Sequence, residues 1–126
     1  MSVPILRQGS NLIVTLQSAL TDQEFVQLQD DVVRQVSVHR CRGVVLDVST
    51  LDVLDSYAAR VLRSTVQMVQ LRGAEGVVVG IQPRVAFAMV QLGLTLDGVA
   101  TALDLDEGLM ILAERGVRGR YDLDRE

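Results

Sequence analysis

The sequence predicts an α/β domain with a mixed, mostly parallel β-sheet, an N-terminal hairpin and about four helices. Two short apolar runs, residues 43–48 and 76–81, are typical of strands buried on both faces of a parallel sheet. The segments that follow them have apolar residues every three or four positions, which is the period of an amphipathic helix. Strands that alternate with helices in this way form a parallel sheet covered by helices.

The N-terminal part contains the predicted hairpin and the first helix. Strands are predicted over residues 3–8 and 11–17, joined by a turn at Gly9-Ser10. Thr21 and Glu24 have the spacing of a capping box, which opens a helix. The apolar positions of that helix lie on one face: Phe25, Leu28, Val32, Val33 and Val36.

A second helix is predicted from Ser56 to about Arg72, after the central strand at 43–48. Its apolar face contains Ala58, Val61, Leu62, Thr65, Val66 and Val69. Ser56 therefore lies at or just before the first helical residue, where a hydroxyl can cap free backbone N–H groups.

The helix between Pro83 and Gly93 has almost no polar side. Pro83 suits the first turn of a helix and Gly93 its end. Because a surface helix normally keeps a polar face, we expect this helix to contact another protein or a second copy. Three residues at helical spacing are predicted to face the core: Val85, Met89 and Leu92. Phe87 is then turned outward as a candidate contact residue.

The C-terminal part completes the predicted domain. A short edge strand is expected over residues 98–102, followed by a helix that Asp104 and Glu107 cap and that ends near Arg115. The domain is therefore expected to span residues 1–116, and residues 117–126 are expected to be a frayed polar tail.

The composition excludes several classes of function. All 12 basic residues are arginines, and the formal net charge is −4 with no basic run, so we expect no nucleic-acid partner. Without lysine the chain has no Schiff-base nucleophile and no lysine-dependent phosphate loop. The single Cys41 cannot form an internal disulfide, which is consistent with a reducing, cytoplasmic location. No apolar run reaches the ~18 residues of a membrane span, so no membrane association is expected.

Three aspartates, Asp47, Asp52 and Asp55, gather at the C-terminal end of the central strand, where α/β folds place their sites. Carboxylates can bind a metal, but the spacing lacks the pattern of a calcium loop, and acidic loop residues commonly cap and turn. We therefore expect no metal and no cofactor.

Enzymatic activity is also not expected. His39, the only histidine, lies beside a basic turn at residues 40–42, and Cys41 is expected to be a turn or core residue. A nucleophilic serine at position 56 would need a base and an orienting group, and its flanking sequence is not a Gly-x-Ser-x-Gly elbow.

Two interpretations of Ser56 remain on local sequence: a plain helix cap, and a phosphate acceptor at the positive end of a helix dipole. Asp52 and Asp55 are not expected to be needed for the cap, which leaves them for a docking surface. A polar strip continues along the helix from this point: Arg60 and Ser64, flanked by Tyr57. These residues are the candidate partner-binding surface.

The order of elements and the strand–Asp-Ser–helix joint resemble the STAS domain family, which contains the anti-sigma-factor antagonists and their relatives. The resemblance covers Val3 to about Arg115 and rests on residues 43–49 (GVVLDVS) and 51–57 (LDVLDSY). It is supported by residues 68–74 and 79–83.

The resemblance implies that Ser56 is phosphorylated by a partner serine/threonine kinase and dephosphorylated by a dedicated phosphatase. Within the family the sequence is most similar to the small scaffold subunits of stressosomes, which implies assembly with larger paralogues that carry sensor domains. The expected function is a non-enzymatic scaffold of bacterial stress signalling. It sequesters a switch kinase and releases it when Ser56 is phosphorylated.

Two departures and two alternatives accompany this expectation. The classical antagonists have a small residue and glycine after the serine, whereas Tyr57 and Ala58 follow here. Sensor paralogues have a second acceptor threonine where Ala88 stands, so one site is expected. The alternatives are a simple antagonist that binds an anti-sigma kinase one-to-one, and a STAS module that binds a small ligand.

Overall fold

The computed structural model describes residues 3–17 and 20–124. The elements of this part of the chain follow one another as β1 (Ile5–Gln8), β2 (Asn11–Thr15), α1 (Asp22–His39), β3 (Gly43–Asp47), α2 (Ser56–Leu71), β4 (Glu75–Val79), α3 (Pro83–Gln91), β5 (Ala100–Ala102) and α4 (Leu105–Asp124). This is the mixed α/β architecture that the sequence predicts.

The strands lie side by side in sequence order, β1-β2-β3-β4-β5. β1 and β2 form the antiparallel hairpin, and each later pair is parallel. Every parallel connection steps one strand in the same direction. Since such crossovers are right-handed, the connecting helices α1, α2 and α3 all lie on one face of the sheet. Helix α4 follows the last strand and covers the other face.

Side chains that alternate along the central strands divide the core into two layers. Val44 and Leu46 of β3 pack with α1, α2 and α3, and Val45 packs with α4. Strand β3 is therefore buried on both faces, which explains why its sequence is a continuous apolar run. The predicted face of α2 is buried throughout, including the hydroxyl-bearing Thr65.

Close backbone approach fixes how α4 lies on the sheet. Gly108 is buried, and a Cβ atom there would lie 2.6 Å from Cγ1 of Val79. A larger residue would push the helix away from β4, so the packing distance depends on this glycine.

Several predicted caps are confirmed. The Thr21 hydroxyl accepts from the backbone N–H of Glu24 at 3.1 Å, and the Glu24 carboxylate accepts from the backbone N–H of Thr21 at 3.0 Å. Pro83 occupies the first turn of α3. The Asp104 carboxylate accepts from the backbone N–H of Glu107 at 3.0 Å, before α4 begins.

Two expectations were wrong. Helix α4 was expected to end near Arg115, with a frayed tail over residues 117–126, but it continues to Asp124, so residues 117–124 are helical. Residues 125–126 lie outside the described residues. The glycines at 116 and 119 do not end the helix. Leu92, which was expected in the core, is 72% exposed, because α3 ends at Gln91 and Leu92 leaves the helical face of Val85 and Met89.

Candidate functional site

The loop between β3 and α2 is held firmly to the sheet. Leu51 and Leu54 are buried in the core, and the backbone N–H of Val48 donates to the carbonyl of Val79 at 3.0 Å. The Thr50 hydroxyl donates to the carbonyl of Leu16 at 2.5 Å. These anchors fix the position at which α2 begins, so the residues exposed between them have a defined geometry.

Asp55, and not Ser56, caps helix α2. Its backbone is extended, with φ −79° and ψ 178°, and its carboxylate accepts from the backbone N–H of Ala58 at 2.8 Å. The expectation that Ser56 could be the cap, and that Asp55 is not needed for it, is therefore wrong. Aspartate and serine are about equally good N-caps, so the local sequence alone could not distinguish adjacent positions.

Ser56 is the first helical residue and is exposed. The N–H groups of Ser56 and Tyr57 lie in the first turn, where a helix has no internal acceptors. Among residues 3–17 and 20–116, no hydrogen bond engages the Ser56 hydroxyl. The hydroxyl is therefore available at the positive end of the α2 dipole.

The three aspartates near this point have separate contacts. Asp47 accepts from the backbone N–H of Ser49 at 2.9 Å, as in an Asx turn. Asp52 lies 3.7 Å from the guanidinium of Arg84, and both side chains are largely exposed. Because Asp55 is the cap, each of the three carboxylates contacts a different group. Within the described residues there is no group of three or more histidine, cysteine, aspartate or glutamate residues arranged to hold a metal ion.

Helix α3 is joined to the loop before Ser56. Besides the Asp52–Arg84 pair, the Gln82 amide donates to the carbonyl of Ser49 at 2.7 Å. Sequence reasoning missed Arg84, although a lone arginine at the start of an apolar helix was a visible signal. Phe87, one turn after Arg84 on the same helical face, is 66% exposed, as predicted.

The predicted strip on α2 is only partly a free polar surface. The Arg60 guanidinium lies 5.8 Å from the centroid of the Tyr57 ring, a cation–π distance. Tyr57 is half-buried and meets Phe25 edge-to-face, with ring centroids 6.4 Å apart. The Ser64 hydroxyl donates to the carbonyl of Arg60 at 2.8 Å. Arg60 therefore remains the exposed charged member of the strip.

A shallow groove adjoins the start of α2 on the side of helix α1. It has a volume of about 360 Å³. Its lining residues are Leu20, Phe25, Leu51, Asp52, Val53, Asp55 and Ala58. Val53 is exposed beside it, so the surface around Ser56 combines carboxylates with an apolar contact.

The other candidate residues lie at the far end of the domain. His39 is the last residue of α1, and its Nδ1 lies 3.3 Å from a guanidinium nitrogen of Arg7. Cys41 is buried, and burial raises the pKa of its thiol. Neither residue is near Ser56 in the fold, so they do not supply a base for a nucleophilic serine. Across residues 3–17 and 20–124, none of the helices has the length and apolar content needed to cross a bilayer.

The fold and the strand–Asp-Ser–helix joint define an α/β domain of a known class. The STAS domain family model matches residues 2–108, and the chain belongs to that family. The predicted resemblance is therefore confirmed.

The relatives include proteins of the stressosome. The chain is 33% identical to RsbS of Moorella thermoacetica, solved with a serine-to-glutamate substitution; the match covers 90% of this chain and 97% of that one, with a TM-score of 0.77. A chain from the stressosome, described as a signal integration and transduction hub, is 34% identical with a TM-score of 0.76, over 90% and 98% of the two chains.

A longer relative is also similar. The RsbT co-antagonist protein RsbRA of Bacillus subtilis strain 168 is 25% identical over 115 residues, which are 90% of this chain and 42% of that protein. The chain thus spans less than half the length of this curated relative. These similarities support a role of the stressosome kind.

Proposed function

We propose that this chain is a non-enzymatic, RsbS-like scaffold that sequesters a switch serine kinase of the RsbT type and releases it when Ser56 is phosphorylated. The observation that carries the proposal is the exposed, unbonded hydroxyl of Ser56 at the first position of a helix whose cap is provided by Asp55. Because the neighbouring Asp55 caps the helix, the Ser56 hydroxyl has no structural role that phosphorylation would disturb.

The competing hydroxyls are less suited to modification. Thr50 and Ser64 donate to backbone carbonyls, and Ser64 lies inside the helix. Ser49 is exposed, but its backbone N–H donates to the Asp47 carboxylate and its carbonyl accepts from the Gln82 amide. Ser56 is therefore proposed as the single acceptor.

Charge is the proposed switch. A phosphate adds roughly −1.5 to −2 charges at neutral pH. At Ser56 this charge lies next to Asp55 in sequence and close to the loop that carries Asp52. Attraction to the helix dipole is worth only about 0.3–1 kcal/mol, so the new charge changes the surface more than it changes the fold.

The docking surface is proposed to extend from this loop to α3. Asp52 contacts Arg84, and Phe87 follows on the same face of that helix. The surface therefore contains Asp52, Asp55, Tyr57, Arg60, Ser64 and Phe87. A partner that binds it would meet a carboxylate, a guanidinium and an exposed aromatic ring in one area, which is the mixture typical of binding hot spots.

The remaining proposed partners are larger STAS paralogues with sensor domains, which would co-assemble with this chain, and a phosphatase that would reverse the reaction. The similarity to a stressosome chain and to RsbRA supports the assembly.

The test is phosphoprotein mass spectrometry of the full chain incubated with its switch kinase and ATP. We expect one major phosphosite at Ser56 and a loss of kinase binding after modification. Ser49→Ala is the matched control and should be phosphorylated like the unaltered chain. Phosphate at another residue, or kinase binding that survives complete modification, would contradict the proposal.

A further inference from the structure

A second cavity lies at the end of the sheet opposite Ser56, where α1 and α2 end and where β3 and β4 begin. It has a volume of about 670 Å³. Four arginines line it: Arg40, Arg42, Arg72 and Arg115. Within the part of the chain whose side chains are described, residues 3–17 and 20–116, Glu75 is the one carboxylate that lines it.

Positive charge is concentrated around this cavity, although the chain as a whole is acidic. Four of the 12 arginines line this one cavity, in a chain whose net charge is −4. Counted over residues 3–17 and 20–116 and including Glu75, the lining side chains have a formal charge of +3. Cavities lined by one sign of charge raise the local concentration of ions of the other sign.

Helix capping does not account for these arginines. Arg40 and Arg72 are the C-cap residues of α1 and α2, where a cation complements the helix dipole. However, carbonyls at these helix ends already accept hydrogen bonds from the backbone. The N–H of Cys41 donates to the carbonyl of Val36 at 3.1 Å, and the N–H of Ala74 donates to the carbonyl of Val69 at 2.9 Å. Arg42 and Arg115 lie at no helix end.

The guanidinium groups are only partly used within the protein. Arg115 lies 3.4 Å from the Glu75 carboxylate, and Nε of Arg72 donates to the Ser37 hydroxyl at 3.2 Å. Over residues 3–17 and 20–116, no hydrogen bond or ion pair engages the side chains of Arg40 and Arg42. Most of the N–H donors around the cavity are therefore available to a ligand.

We propose that this arginine-lined cavity binds a small, soluble, phosphorylated molecule that carries two or more negative charges. The planar guanidinium matches the oxygens of phosphate in paired hydrogen bonds. The volume is within the range of small-molecule pockets, roughly 300–1,000 Å³. The arginines converge on one cavity instead of following a stripe, which favours a compact anion over a nucleic-acid backbone.

The proposal is independent of the switch at Ser56. The cavity lies at the opposite ends of the strands, and Ser56 is not among its lining residues. Anion binding should therefore survive Ser56→Ala, and phosphorylation of Ser56 should survive loss of the cavity arginines.

The test is calorimetric titration of the full chain with inorganic pyrophosphate at constant ionic strength, together with two-dimensional amide NMR. We expect saturable binding, with amide shifts concentrated around Arg40, Arg42 and Arg72. Each lost guanidinium should weaken binding about tenfold, because hydrogen bonds to charged groups are involved. Arg42→Gln and Arg72→Gln are the test variants, singly and together, and Arg84→Gln at the other end of the sheet is the matched control.

Three outcomes would overturn the proposal: no saturable binding at millimolar pyrophosphate, equal affinity in the two test variants and the control, or amide shifts centred on the start of α2. Circular dichroism checks folding of each variant. If the double variant does not fold, the single variant Arg42→Gln is the test, because Arg42 is exposed and its replacement should leave the fold intact.

Discussion

Separate replacement of Asp55 and Ser56 by alanine should distinguish the cap of α2 from the proposed phosphate acceptor. The Asp55 carboxylate accepts from the backbone N–H of Ala58 at 2.8 Å, and Asp55→Ala removes that bond. Loss of an N-cap costs about 1 kcal/mol of the free energy of unfolding. For a domain of this size, that loss should lower Tm by about 4 °C.

Ser56→Ala should behave in the opposite way. The serine hydroxyl is not the cap, and alanine is a better helix former than serine. We therefore expect Tm to change by less than about 2 °C. Phosphate incorporation should be abolished in this variant, whereas Asp55→Ala still presents the acceptor hydroxyl.

Two measurements on the same preparations decide between these roles. Thermal unfolding followed by circular dichroism gives Tm, and mass spectrometry after incubation with the kinase and ATP gives phosphate per chain. Ser49→Ala is the control for loss of an exposed loop hydroxyl, and both of its values should match those of the unaltered chain.

The reasoning would be refuted if Ser56→Ala lost as much stability as Asp55→Ala, because the hydroxyl would then have a structural role that its exposure does not indicate. Undiminished phosphate on Ser56→Ala would refute the acceptor assignment independently. The two failures are distinguishable, since one is measured as Tm and the other as mass.

Three further predictions concern the charge of the switch, the assembly surface and the first helix. Ser56→Asp should leave the circular dichroism spectrum unchanged while kinase affinity falls, because it adds negative charge beside Asp55, the cap of α2. Unchanged affinity would argue against an electrostatic switch. Phe87→Glu should leave the chain folded and shrink any assembly measured by light scattering, whereas Met110→Glu, a residue of similar exposure (63% against 66%) on the other face of the sheet, should not. The backbone N–H of Thr21 lowers the pKa of the Glu24 carboxylate, so this group's contribution to stability is present above the ordinary carboxyl pKa and is lost as the pH falls through the lowered value. Urea midpoints of the unaltered chain and Glu24→Ala should therefore differ at pH 7 and converge in acid.

Local patterns predicted most of the elements because they depend on residues close in sequence. The capping box at Thr21 and Glu24, the buried face of α2 and proline at the start of α3 all lie within one or two helical turns. The outward position of Phe87 followed from the spacing of Val85 and Met89 in the same way.

Local patterns were less reliable where neighbouring residues are chemically equivalent. Asp55 and Ser56 are both good caps, and the backbone geometry of the anchored loop selects Asp55. Leu92 fits the apolar spacing of α3, but the helix ends one residue earlier. The length of α4 was underestimated because glycine penalises a helix without forbidding it.

The sequence by itself determined an aliphatic α/β domain with a Ser56 at the start of its second helix, since hydrophobic period and helix caps are local properties. The tertiary structure decided which side chains meet. It brought Arg84 to Asp52 across 32 positions, and it gathered four arginines from three separate segments around one cavity. No basic run marks that cavity in the sequence, because right-handed crossovers place the C-terminal ends of α1 and α2 side by side at one end of the sheet.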